Sequence, residues 1–308
     1  MKYLQLIFCL MLSGCQSEIQ PKIDKISHYK IEVIAPASGC NTEFLGSIPV
    51  KFNGFYQDDY ERAEILKRSL LDNTNDILWT LRGGYGSAKV VEILYQDGQF
   101  LDLLRSQKKN PIMIGYSDIT ALHLFLSQEF GWQTIHGPVF KEIINTRNKI
   151  NTQAIKEVLN GIRKIKFIGL KPLNKSAEIL QTISGKLTGG NLSIIQTSIG
   201  TKWQIDARNK ILFLEDCNEK PYQIDRMLNH LKSAKLLDEA KAIIIGNLCN
   251  DSNYMYKTIL DFAKKLSMPI YSIDVFGHGV YNYPMIYNSD AEILSEHGIK
   301  SLKQQFDL

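Results

Sequence analysis

The sequence predicts an α/β protein built on a parallel sheet. Three observations carry that expectation. Short apolar runs alternate with helix-length amphipathic segments. Two of those runs end directly on glycine- or serine-bearing turns, at Arg82-Gly83-Gly84 and Tyr116-Ser117. The composition, 44% hydrophobic and 22% charged over 308 residues, is that of a globular chain with a large core. At ~150 residues per domain, two domains or one large one are expected. A formal charge of +4 is too mild for a nucleic-acid surface. No apolar run reaches the roughly 18 residues that a membrane-spanning helix requires.

Residues 1–15, MKYLQLIFCLMLSGC, place Lys2 ahead of a mostly apolar stretch too short to cross a bilayer, the layout of an export signal. The ending Leu12-Ser13-Gly14-Cys15 resembles the lipobox of bacterial lipoproteins, which implies cleavage and lipidation of Cys15. The protein would then sit on the periplasmic face of a bacterial membrane, and Gln16 is compatible with the outer membrane. Residues 16–28 read as a polar tether. Of the five cysteines, Cys9 would leave with the signal and Cys15 would be acylated. Cys40, Cys217 and Cys249 are odd in number and far apart, which predicts neither a disulfide framework nor a zinc site.

The first domain is expected over residues 29–145. Residues 29–37 (YKIEVIAPA) read as a strand. Residues 58–72 carry Ala63, Ile65, Leu66 and Leu70 at helical spacing. Residues 76–81 (DILWTL) form a buried strand that runs into the glycine turn, and 88–95 a helix. Residues 111–115 form another strand, followed by Ser117-Asp118 and a helix through Phe130. In parallel sheets ligands bind at the carboxyl ends of strands, where both Gly83-Gly84 and Ser117 fall. Residues 146–180 are polar and basic, with one helix near 152–159, and read as a linker. A second domain is expected over 181–308, with strands at 185–187, 211–215 and 242–246 and helices at 192–199, 223–233 and 257–266.

Strand, sharp turn, then Ser at a helix start is the geometry of a nucleophile elbow, although Ile119 stands where G-x-S-x-G has its last glycine. The plainer alternative is that Ser117 or Asp118 caps the helix. A serine nucleophile needs a base, and the base an orienting acid. Among the six histidines, His278 sits in the glycine-flanked turn Phe276-Gly277-His278-Gly279, which suits a presented side chain. His123 falls on a packing face. Leu212-Phe213-Leu214-Glu215-Asp216 puts two carboxylates at the end of an apolar strand, where a structural ion pair, for instance to Arg226, is the competing reading. From spacing alone Asp216 and Glu219 rival Glu215. The glycine turn lacks the spacing of phosphate-binding loops, and no HExxH-like pair suggests a metal.

Six segments occur in order: R82-GGYGS, G115-YSDITALHL, H136-GPV, L187-TGGNLSIIQTSIGT, I211-LFLEDCNEKPYQIDRML and F276-GHG. With them the chain resembles the LD-carboxypeptidases, the serine peptidase family of murein tetrapeptide carboxypeptidase and the microcin C self-immunity peptidase. The resemblance implies an N-terminal flavodoxin-like parallel-sheet domain and a C-terminal swivelling β/β/α domain. It implies Ser117 as nucleophile, Glu215 as orienting acid, His278 as base, and backbone N–H groups of Gly84 and Asp118 as oxyanion donors. Arg82 is available for the terminal carboxylate of a muropeptide or peptidoglycan stem peptide, unless it serves a structural ion pair. No cofactor, metal or nucleic acid is implied, and a homodimer is left open. Two rival functions keep the fold: the same triad acting on a microcin C-like or other peptide amide, and a non-catalytic peptidoglycan-binding lipoprotein. Known recycling members of the family are cytoplasmic, which competes with the periplasmic reading of the export signal.

Overall fold

The computed structural model describes residues 29–38, 51–52, 58–144, 149–179 and 181–308. The export signal, the lipidation site Cys15, the tether 16–28 and Cys40 lie outside the described residues. No helix among the described residues is long and apolar enough to cross a membrane.

The first half lays down, in order, β1 (Ile31–Ile34), β2 (Lys51–Phe52), α1 (Asp59–Leu71), β3 (Ile77–Thr80), α2 (Ser87–Leu94), α3 (Gly98–Ser106), β4 (Ile112–Gly115), α4 (Thr120–Glu129) and β5 (Ile135–His136). The strands lie side by side as β2-β1-β3-β4-β5, with every neighbouring pair parallel. This is the flavodoxin-like order, which opens a ligand crevice beyond the carboxyl ends of the strands. Strand β3 is buried at all four positions, which is why it reads as a continuous apolar run and not as an alternating one.

The chain continues through α5 (Phe140–Ile144), α6 (Lys149–Leu159), β6 (Lys164–Ile168), β7 (Lys171–Pro172), α7 (Lys175–Glu178), β8 (Ile183–Asn191) and α8 (Leu192–Thr197). It ends with β9 (Lys210–Glu215), α9 (Pro221–Ser233), β10 (Ala242–Ile245), α10 (Asn253–Ala263), β11 (Ile270–Ser272), β12 (Met285–Ile286), β13 (Asp290–Glu296) and β14 (Ile299–Gln305). A second sheet has the order β6-β14-β13-β8-β9-β10-β11-β7. Strands β8 to β11 are mutually parallel, and the flanking strands are antiparallel.

Two expectations change. The supposed linker 146–180 supplies both edge strands of the second sheet, β6 and β7. Its polarity is that of edge strands with exposed lysines at positions 164, 166 and 171, a pattern that also blunts edge pairing. The halves are also not segregated, because β12 crosses back and pairs antiparallel with β5, Met285 opposite His136.

Helix α4 is the element common to both sheets. It is buried continuously from Thr120 to Ser127, as a helix enclosed on all sides must be, and it packs against β5 and against β8 and α8. Phe213 on β9 lies at the centre of the aromatic packing between the sheets, with ring centroids 5.3 Å from His136, 5.3 Å from Tyr287 and 5.5 Å from Phe276. It is fully buried. Replacing Phe213 with Ala is expected to cost about 3–5 kcal/mol, read as a fall in the denaturant midpoint without a change in slope.

Candidate active site

Ser117 follows β4 across one residue, Tyr116. It adopts φ +65°, a left-handed conformation that a non-glycine residue occupies only under constraint. The constraint is visible. Gly115 at the end of β4 accepts hydrogen bonds at its carbonyl from the Gly137 N–H at 3.0 Å and from a buried His123 Nε2 at 2.9 Å. Ser117 begins a short 3-10 turn, Ser117–Ile119, that receives no side-chain cap. Neither Ser117 nor Asp118 therefore caps its own helix. The Asp118 carboxylate reaches sideways to the start of α2, where it accepts from the Ser87 N–H at 2.8 Å and the Ser87 hydroxyl at 2.6 Å. That contact fixes the turn against the glycine loop. Gly83 is the glycine packed on Ser117: a Cβ there would lie 2.9 Å from the Ser117 Cβ. Gly84 instead passes over Ser38, whose hydroxyl accepts from the Tyr85 N–H at 3.0 Å.

The acid comes from the second sheet. Glu215 ends β9, fully buried, and the parallel register sets Asn191 of β8 beside it. Asn191 Nδ2 donates to Glu215 Oε1 and to Asp216 Oδ1, each at 3.3 Å. Glu215 Oε2 pairs with His278 Nδ1 at 2.6 Å. Gly277 makes this approach feasible, since a Cβ there would stand 2.8 Å from Glu215 Oε2. Asp216 has different work: it accepts from the Ser193 N–H at 2.8 Å, the Ser193 hydroxyl at 2.7 Å and the Cys217 N–H at 2.7 Å. Glu215 thus faces the histidine and Asp216 faces the start of α8, a division the spacing left open. The suggested ion pair of these carboxylates with Arg226 is not what the structure builds.

Burial pushes the His278 imidazole towards neutrality, but the hydrogen bond and charge of Glu215, with Asp216 and Glu142 behind, more than offset this. Its pKa is raised above 6.5. His278 also lines a cavity of about 370 Å³ together with Ser117, Gly83, Gly84, Arg82 and Glu142 among others. No hydrogen bond joins Ser117 to His278 in the described structure, and such bonds commonly tighten only with substrate. His123 is excluded as a base. It is buried, bonded at both nitrogens to Thr134 and Gly115, and burial pushes its pKa down to about 4.

Four neighbours escaped the sequence reading. Tyr116 packs its ring 4.7 Å from the His278 ring and donates its hydroxyl to Glu142 at 2.6 Å. Lys141 and Glu142 line the cavity, yet nothing in H136-GPVFKE distinguishes them from surface charge. Asn191 had a signal, a polar residue after two glycines at a strand end. Cys217 and Cys249 correct a further expectation: they form a disulfide across 32 residues, with Cα atoms 5.0 Å apart. Strands β9 and β10 are parallel neighbours, so the loops leaving their carboxyl ends run together.

The sequence matches the profile of the LD-carboxypeptidase N-terminal domain over residues 13–137 and of the LD-carboxypeptidase C-terminal domain over residues 184–293. The chain belongs to the LD-carboxypeptidase family. Like other LD-carboxypeptidases it is a serine-type carboxypeptidase. A carboxypeptidase-named protein of Rickettsia conorii is 39% identical over 296 residues, covering 89% of this chain and 91% of that one. A Bacillus subtilis protein named as a murein peptide carboxypeptidase is 34% identical over 197 residues, 63% of this chain and 58% of that one. The crystal structure of muramoyltetrapeptide carboxypeptidase from Oxalobacter formigenes superposes with a TM-score of 0.74 at 22% identity, covering 90% of this chain and 98% of that one.

In this LD-carboxypeptidase the Asp216 carboxylate is buried and satisfies several donors at once. Asp216→Ala is expected to destabilise the fold by about 3 kcal/mol through those orphaned donors, measured by thermal or denaturant unfolding.

Proposed function

We propose that this enzyme hydrolyses the amide bond between the L-centre of a diamino acid and a terminal D-alanine in peptidoglycan tetrapeptides. The observation that carries the reading is the 2.6 Å Glu215–His278 bond beside the cavity that also holds Ser117 in its left-handed turn. His278 takes the Ser117 hydroxyl proton as the oxygen attacks the carbonyl. Glu215 holds the imidazole in the Nδ1–H tautomer and balances the charge it acquires. The oxyanion rests on the backbone N–H groups of Gly84 and Asp118, each worth ~3 kcal/mol in the transition state. His278 then protonates the leaving amine, and water attacks the acyl-enzyme by the same route. Arg82 and Lys141 on the cavity wall supply positive charge for the substrate's terminal carboxylate. The muropeptide assignment leans on the names of the Bacillus subtilis and Oxalobacter formigenes proteins.

Incubation of the chain lacking residues 1–15 with disaccharide-tetrapeptide should release free D-alanine. Ser117→Ala should reduce release by at least about 10⁴-fold with an unchanged melting midpoint; retained turnover would remove Ser117 from the role. The base must be neutral to accept a proton, so kcat/KM should fall as pH drops through the His278 pKa, with the midpoint of that limb above 6.5. Glu215→Gln removes the largest raising influence and leaves burial opposed only by Asp216 and Glu142, so the limb should move to lower pH, alongside a kcat loss on the order of 10³–10⁴.

We also infer anchoring through Cys15. The Cys217–Cys249 disulfide supports the reading, since such bonds persist in oxidising compartments such as the periplasm. Metabolic labelling with palmitate should mark the full chain and not Cys15→Ala; equal labelling would reject the anchor.

A further inference from the structure

The cleft has a second compartment that the peptide-bond chemistry does not require. A cavity of about 140 Å³ adjoins the Ser117 cavity and shares three walls with it: Tyr116, Glu142 and His278. The two compartments differ in charge. Arg82 and Lys141 line the first. No Lys or Arg among the described residues lines the second, whose charged or titratable walls are Glu142, His278 and Tyr116, with the neutral amides Asn151 and Asn282.

Glu142 has acceptor capacity to spare. Its Oε1 takes the Tyr116 hydroxyl at 2.6 Å and its Oε2 takes the Val139 N–H at 3.3 Å. A carboxylate offers about four acceptor positions, so roughly two remain for a ligand. Tyr116 cannot answer that charge by ionising, because burial and then Glu142 itself push its pKa far above the ordinary value of 10.0. Asn282 is a second, independent sign of a built site. It is 3% exposed, its Oδ1 accepts from the Gly277 N–H at 3.3 Å, and its buried Nδ2 has no hydrogen-bond partner. A buried donor left unpaired is costly unless something arrives to accept from it.

We propose that Glu142 is a specificity-determining residue: the second compartment holds the acyl-side residue of the substrate, Glu142 accepts from an ammonium on its side chain, and Asn282 donates to a neighbouring carbonyl or carboxylate oxygen. The inference rests on the carboxypeptidase reading above and deepens it. The cleft sorts a substrate by charge. The terminal carboxylate goes to the cationic compartment, and the amine of the preceding residue goes to the acidic one. Ser117 and His278 then meet the amide between them.

The test compares two tetrapeptides that differ only at the third residue, lysine against norleucine, which keeps the methylene chain and drops the ammonium. The wild-type enzyme should favour lysine by at least about tenfold in kcat/KM, the scale of one hydrogen bond to a charged group. Glu142→Gln, checked for folding by its melting midpoint, should bring the ratio close to one. Equal wild-type rates on both peptides would overturn the inference and leave the carboxypeptidase reading standing, and that comparison needs no variant. A Glu142→Gln enzyme that is slower on both peptides by the same factor would show that Glu142 only braces Tyr116 against His278, which also overturns it. Hydrolysis of neither peptide, nor of any tetrapeptide, would remove the function and this inference together.

Discussion

A buried carboxylate with an imidazole on it is the interaction around which this molecule is arranged. Glu215 is fully buried, and a carboxylate taken out of water is tolerated only when charge or donors reach it. The two suppliers are Asn191, from the neighbouring strand, and His278, from a loop more than sixty residues downstream. Neither arrives by chance of local sequence. Asn191 is there because β8 and β9 run parallel in a register that places the two residues side by side. His278 is there because Gly277 at φ +101° lets the loop close onto the glutamate. Loss of either approach would leave one buried carboxylate oxygen without its donor, so the fold and the site are secured by the same contacts.

The serine reaches this pair through α4. That helix begins immediately after the Ser117 turn, carries His123 to bond the Gly115 carbonyl, and packs on β8, the strand that ends in Asn191. Its first residue, Thr120, accepts from the Asn191 N–H at 3.0 Å. One helix thus touches the nucleophile turn at its start and the acid's neighbour at its side. The crossing of β12 into the first sheet adds a second tie. The distance between hydroxyl and imidazole is set by packing between sheets more than by any single loop.

The parts of this arrangement that were legible in the sequence are those encoded locally. The apolar runs at β1, β3, β4, β9 and β10 and the helices after them follow from short-range pattern, and the strand-end positions of Ser117, the glycines and Glu215 follow with them. Boundaries moved where capping decides: α10 starts at Asn253 and not near 257, because the Ser252 hydroxyl accepts from the Met255 N–H. The edge strands β6 and β7 and the final hairpin of β13 and β14 were missed. Their half-exposed faces carry lysines and glutamines that read as loop. The choice between Glu215 and Asp216 was not legible from spacing, since adjacent strand residues point to opposite faces and only the tertiary fold says which face holds the histidine. The Cys217–Cys249 bond depends on two parallel strands being neighbours, which two cysteines 32 residues apart do not announce.

Three imidazoles lie close together at this end of the sheets, and their environments keep all but one from titrating near neutrality. Burial pushes His136 well below 6.5, with smaller pushes from His123 and His278, and burial alone brings His123 to about 4. His136 spends its ring on packing, edge-on to Tyr116 and Phe213, with neither ring nitrogen hydrogen-bonded. Only His278 has a carboxylate on its Nδ1, and only its pKa is raised. The asymmetry has a consequence for charge. An imidazolium on His278 has Glu215 on one side and neutral imidazole rings on the other, so neither neighbouring histidine adds a like charge against its formation. A cluster of equally exposed histidines would share and disperse the proton. Here the burial of two of them concentrates it on the third, at the wall the cavity shares with Ser117.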